Sequence, residues 1–128
     1  MKGKSATFAF LAVFAAVFAC ADAFAAKGDG EAGKQSFITV CASCHGEGGK
    51  GDGIASAALT PKPRDLSDAE YLSTLTDEYL FEVINKGGMA VGKSAMMPPW
   101  GGVLGDEGAW NVIAYIREDI CGCEPATE

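Results

Sequence analysis

Residues 41–45, Cys41-Ala42-Ser43-Cys44-His45, place two thiols three positions apart with an imidazole directly after the second. Thiols at i and i+3 can reach the two vinyl groups of one haem and form thioethers. The next residue, a neutral imidazole, then lies where it can ligate the iron from one side. This is the chemistry behind the C-x-x-C-H pattern of c-type haem attachment. Cys41, Cys44 and His45 are therefore expected to hold one covalent haem c. A thioredoxin-like reading of the same cysteines needs a preceding strand and a βαβ context, and neither is legible here. A zinc site could pair Cys41 and Cys44 with Cys121 and Cys123, but that leaves His45 without a role.

His45 is the only histidine of the chain, so a second imidazole is not available for the other side of the iron. Met97 is the leading candidate, because Pro98-Pro99 follow it and fix φ in an otherwise irregular loop. In extended chain its neighbour Met96 points the opposite way, so both cannot reach one iron, and Met96 stands second. Met89 lies between Gly88 and Ala90 in a less constrained stretch. The plainer reading is that these methionines fill gaps in a core. Thioether and imidazole together close the coordination shell and raise the reduction potential relative to two imidazoles. Trp100, Leu104 and Phe81 are expected to bury the group and raise it further.

Working outward, the N-terminus begins Met1-Lys2-Gly3-Lys4 and continues with an unbroken apolar run over residues 8–19. That run is shorter than the ~20 apolar residues of a membrane span, and Ala-x-Ala sites follow it. Residues 1–25 are read as a secretory signal peptide cleaved after Ala25, the alternatives being an uncleaved anchor or lipidation at Cys20. Removing them takes away Lys2, Lys4 and Asp22 from 10 Lys/Arg and 17 Asp/Glu, leaving 8 against 16 and a net charge of −8. Such an acidic chain does not suit nucleic acid. Export, to the periplasm, is also where haem attachment through C-x-x-C-H takes place.

Residues 26–128 are expected to form one domain with its core at about 30–120 and a short cysteine-containing tail at 121–128. Residues 31–41 read as a helix with Gly33, Phe37, Val40 and Cys41 on one face. Residues 46–53, mostly glycine, read as a loop; their literal G-x-G-x-x-G follows a helix rather than a strand and is no nucleotide site. Ser67 and Glu70 form a capping-box signature for a short helix. A helix over 77–86 has Thr76 as N-cap and Gly87 as its stop. A long Gly/Pro loop follows, and a final helix covers 106–119. The fold class is all-α, three to four helices around one haem.

CASCH after a short amphipathic helix, SAMMPPW at 94–100 and AYIRED at 114–119 together resemble a class I monohaem c-type cytochrome. The resemblance covers nearly all of residues 30–120. It implies that the N- and C-terminal helices cross, with Gly33 and Phe37 meeting Tyr115. It also implies that a proline carbonyl, from Pro61 or Pro63, accepts the His45 imidazole proton. Gly105 departs from the pattern, standing where a Ser or Thr cap usually precedes the last helix. The Cys121-Gly122-Cys123 tail is not part of the pattern; a bridge over one residue, intermolecular pairing and free thiols all remain open.

The expected function is transfer of single electrons between redox protein partners by an exported monomer, without catalysis and without a small-molecule substrate. Membrane contact would come only through partners or a lipid at Cys20. Lys50, Lys62, Arg64, Lys86 and Lys93 are expected to form a positive rim that steers docking, with Arg64 able to pair with a haem propionate instead. The alternative is a haem-bearing subunit of a larger dehydrogenase or oxidase, which stable co-purification with a catalytic subunit would reveal. A sensor or peroxidase-like protein would bind carbon monoxide readily, and a zinc module would be colourless.

Overall fold

The first helix starts because Asp29 caps it: its Oδ1 accepts hydrogen bonds from the backbone N–H groups of Glu31 (3.0 Å) and Ala32 (3.2 Å). The computed structural model describes residues 27–127; the signal peptide read at 1–25 and Cys20 lie outside the described residues. Helix α1 runs over residues 30–45 as an α-helix at Gly30–Ser36, a wider π turn at Phe37–Cys41 and a last α turn at Ala42–His45. In the π turn the Ala42 N–H reaches back to the Phe37 carbonyl, which admits one extra residue and re-phases the helix. Gly33 and Phe37 thus serve a helix contact, while Cys41, Cys44 and His45, at i, i+3 and i+4, share the face beyond it. Gly46 ends α1 at φ 77°, a conformation that costs a glycine nothing. An Asp29→Ala variant is expected to lose about 1 kcal/mol, read as a lower denaturant midpoint.

Helix α2 is a single turn, Ala69–Leu72, and α3 is Asp77–Lys86. The capping box expected at Ser67 does not form. Asp65 accepts both the Ser67 N–H (2.8 Å) and its hydroxyl (2.6 Å). With that hydroxyl engaged, Asp68 caps α2 one residue later through the Tyr71 N–H (3.0 Å). Helix α3 follows its sequence reading: Thr76 Oγ1 accepts the Tyr79 N–H (3.1 Å), and Gly87 stops the helix at φ 81°. A one-turn 3₁₀ segment, Gly88–Val91, lies in the loop after it. Helix α4 spans residues 101–121, α-helical at Gly101–Tyr115 and π-like at Ile116–Cys121. Gly105 interrupts it at φ 64°, so the main helix resumes at Asp106 as its periodicity indicates. No described residue is in a strand.

Helices α1 and α4 cross at close range. A Cβ on Gly33 would collide with the Asn111 carbonyl oxygen and come within 2.9 Å of the Val112 nitrogen. The rings of Phe37 and Tyr115 meet at 5.5 Å and 59°, and the Asp29 N–H donates to Asn111 Oδ1 (2.7 Å). Phe37, Leu72 and Val112, from three different helices, are fully buried. Arg117 of α4 is buried as well. Its guanidinium donates to the carbonyls of Leu72 (2.8 Å) and Leu75 (2.9 Å) and to Asp77 Oδ1 (2.9 Å), closing the α2–α3 junction. Cys121 and Cys123 are joined by a disulfide. The tail then runs back along the α2–α3 junction, where the Ala126 N–H reaches the Leu75 carbonyl (3.0 Å).

Candidate cofactor site

One face of α1, the segment at 59–66, helices α2 and α3 and the loop at 93–100 enclose a mainly apolar cavity of about 450 Å³. Cys41, Cys44, His45, Met96 and Met97 all line it. Cys41 and Cys44 are free thiols, and burial, reinforced by Cys44 alongside, pushes the Cys41 thiol up to about 12. Because Cys121 and Cys123 are bonded to each other, the four-cysteine zinc arrangement does not form among the described residues.

His45 Nδ1 lies 3.1 Å from the carbonyl of Arg64. The acceptor is thus neither Pro61 nor Pro63. The Pro63 carbonyl sits against Gly51 instead, and successive carbonyls along an extended chain alternate in direction. Burial lowers the His45 pKa, opposed by that same hydrogen bond, and the ring stays neutral with its other nitrogen available.

Met97 is held from its backbone. Its carbonyl accepts the Gly88 N–H (2.9 Å), its N–H reaches the Ser94 carbonyl (3.3 Å), and past the two prolines the Trp100 N–H is bonded to the Ile84 carbonyl (2.8 Å). Met96 is 54% exposed, whereas Met97 packs against the core. Met89 is 69% exposed and does not reach the cavity wall. Trp100 lines the cavity, but Phe81 and Leu104 do not. Phe81 stacks on Trp110 instead, at 4.5 Å and 18°, because it lies on the face of α3 turned towards α4.

Of the five cations expected around the rim, Lys62, Arg64 and Lys93 line the cavity. Lys86 pairs with Glu82 across one turn of α3 (3.2 Å), and Lys50 is not part of the wall. The Arg64 guanidinium lies 3.9 Å from the Tyr71 ring centre, and Tyr71 and Tyr79 both line the wall. The tyrosines were the part that sequence reasoning missed, and their place in the short helices was the available signal. Two thiols, a neutral imidazole and a thioether on apolar walls, with cations at the rim, fit a planar apolar ring that carries vinyl groups and carboxylates.

A family model described as "Cytochrome C oxidase, cbb3-type, subunit III" matches residues 28–116. The chain is 34% identical over 87 residues to the cbb3-type cytochrome c oxidase subunit FixPc of Rhizobium leguminosarum bv. viciae, covering 68% of this chain and 26% of that protein. Among solved structures it resembles the reducing HAO-like protein complex of Kuenenia stuttgartiensis, with TM-score 0.61, 26% identity, and 80% of this chain and 49% of that one covered. It also resembles cytochrome c6 of the diatom Phaeodactylum tricornutum, with TM-score 0.53, 31% identity, and 73% and 95% covered. The chain thus spans about a quarter of the curated relative and about half of the first of these structures.

Proposed function

This chain belongs to the cytochrome c oxidase cbb3-type subunit III family and is a class I c-type cytochrome with haem c as its cofactor, and from that premise we propose that it passes single electrons between redox proteins outside the cytoplasm. Cys41 and Cys44 would hold the haem through thioethers, and His45 and Met97 would ligate its iron. Residues 1–25 are a signal peptide, residues 26–128 are one domain, and the compartment is the periplasm. The observation that carries this reading is that two free thiols, one histidine and a backbone-anchored methionine, drawn from two separate segments, line one apolar cavity.

When bound, haem c supplies one-electron iron chemistry at a potential raised by Met/His ligation. The protein's own residues prepare for it. The Arg64 carbonyl orients the His45 ring and fixes the proton on Nδ1. The hydrogen bonds at Gly88, Ser94 and Trp100, with two prolines between, hold Met97 in place before any ligand is met. Apolar walls exclude water and disfavour added charge. With His45 and Met97 both ligating, the iron would have no open position for a substrate, and the domain would carry electrons rather than catalyse.

A specific observation also favours the subunit reading. The curated relative is named as an oxidase subunit, and this chain spans only a quarter of it. The partner in that case is a membrane-bound respiratory complex, and the domain is its electron-entry or relay module.

The testing experiment is a visible and near-infrared spectrum of the exported protein beside Met97→Ala and Met96→Ala. The sulfur-to-iron band is expected to vanish in Met97→Ala, with a lower potential, and to persist in Met96→Ala. A band that survives Met97→Ala overturns the ligand assignment. Co-purification of the tagged chain with a catalytic subunit separates the free carrier from the subunit.

A further inference from the structure

Among the groups that electron transfer through the cavity does not use, the Cys121–Cys123 disulfide has the most distinctive surroundings. It closes a ring over one residue at the end of α4, and both cysteines are only partly buried. Arg117 donates through one guanidinium nitrogen to Cys123 Sγ at 3.5 Å, and its other bonds, to Asp77, Leu72 and Leu75, fix that guanidinium in place. The Cys123 N–H is itself tied to the Arg117 carbonyl (3.0 Å). The two sulfurs therefore differ. Cys123 faces a permanent, immobilised cation, whereas the polar groups beside Cys121 Sγ are the carbonyls of Arg117 (3.8 Å) and Cys123 (3.9 Å).

A cation beside a sulfur stabilises its thiolate, and a stabilised thiolate is the better leaving group in disulfide exchange. We infer that Cys121–Cys123 is a second redox site, a thiol–disulfide exchange centre in which Cys121 is the sulfur attacked and Cys123 is the thiolate released beside Arg117. Its partner is a dithiol reductant of the exported compartment. A thiolate of that dithiol attacks Cys121 Sγ, forming a mixed disulfide as the Cys121–Cys123 bond breaks. The dithiol's second thiolate then attacks its own sulfur in the mixed disulfide and frees Cys121, which takes up a proton. The pair gains two electrons, the dithiol loses two and becomes a disulfide, and its remaining proton goes to solvent. Arg117 acts as the positioning residue, through the charge that it presents to Cys123.

Two measurements on the haem-loaded, exported protein test this, with dithiothreitol and iodoacetamide as probes and intact mass as the readout. The haem adduct in the same spectrum reports attachment at Cys41 and Cys44 separately, so failure of that reading is distinguishable. In the wild type, dithiothreitol at pH 7 is expected to open the pair while the far-ultraviolet circular dichroism stays that of the folded protein. In single-cysteine variants, the alkylation midpoint of Cys123 (in Cys121→Ser) is expected at least one pH unit below that of Cys121 (in Cys123→Ser), about a tenfold gain in thiolate near neutrality. This readout leaves Arg117 in place and would not move if Arg117 only braced the fold. Equal midpoints, a higher midpoint for Cys123, or a pair that opens only when the protein unfolds would overturn the proposal.

Discussion

A Gly33→Ala variant is expected to lose about 3 kcal/mol of stability, even though alanine is the better helix former. Intrinsic propensity favours Ala over Gly by about 1 kcal/mol in a helix interior, so an exposed site would gain. Gly33, however, faces α4 where the backbones touch. An added Cβ collides with the Asn111 carbonyl and sits 2.9 Å from the Val112 nitrogen. Backbone cannot turn aside as a side chain can, so the two helices must separate. Separation loosens the Phe37–Tyr115 contact and the Asp29–Asn111 hydrogen bond together. Overpacking of this kind costs about 1–3 kcal/mol, occasionally more, and here it falls on the main helix pair of a small core. Gly102→Ala is the control, because nothing lies within 4 Å of a Cβ built there. It is expected to be neutral or slightly stabilising. Denaturant midpoints of the haem-loaded proteins check both, and a Gly33→Ala protein as stable as wild type would sink the close-crossing account.

Replacing Arg117 by Met should cost a similar amount for a different reason. The methionine keeps much of the apolar stem but removes every donor, leaving the Leu72 and Leu75 carbonyls without that partner and Asp77 without its cation. Breaking a buried ion pair by deleting one member costs about 3–5 kcal/mol. Asp77 retains some access to water at 27% exposure, which argues for about 3 kcal/mol, the lower end of that range. Asp77→Asn should cost less, since an oxygen acceptor remains and the carbonyls keep their donors. Urea titrations of the two variants should therefore rank Arg117→Met well below Asp77→Asn, and the reverse order would contradict the clasp.

What the chain made legible follows from the range of the interactions concerned. The C-x-x-C-H spacing is local covalent chemistry. The Thr76 cap and the Gly87 stop depend on a few neighbouring residues, and both stand as the sequence indicates. Phe37 and Tyr115 were placed together by resemblance, and they meet; Gly33, placed with them, packs on the backbone of Asn111 and Val112 instead. Ser67 failed as a cap because Asp65 competes for its hydroxyl two residues away, a contest between near-equal local partners that propensity does not rank. Phe81 was assigned to the cavity, but its ring direction depends on Trp110 from another helix.

By itself the sequence determined the haem motif and the all-helical class, because spacing and capping act within a few residues, while the helix crossing was what the family resemblance implied. Only the tertiary structure decided which carbonyl faces His45, since that depends on how the 59–66 segment lies against α1; it turned out to be that of Arg64. Nor could the residues announce that Arg117 would be buried, because its partners Leu72, Leu75 and Asp77 lie some 40 positions earlier in the chain. The same fold brought that arginine to Cys123. A cysteine pair whose state stayed open in the sequence thereby acquired two unequal sulfurs, because a fixed charge acts through space and not along the chain.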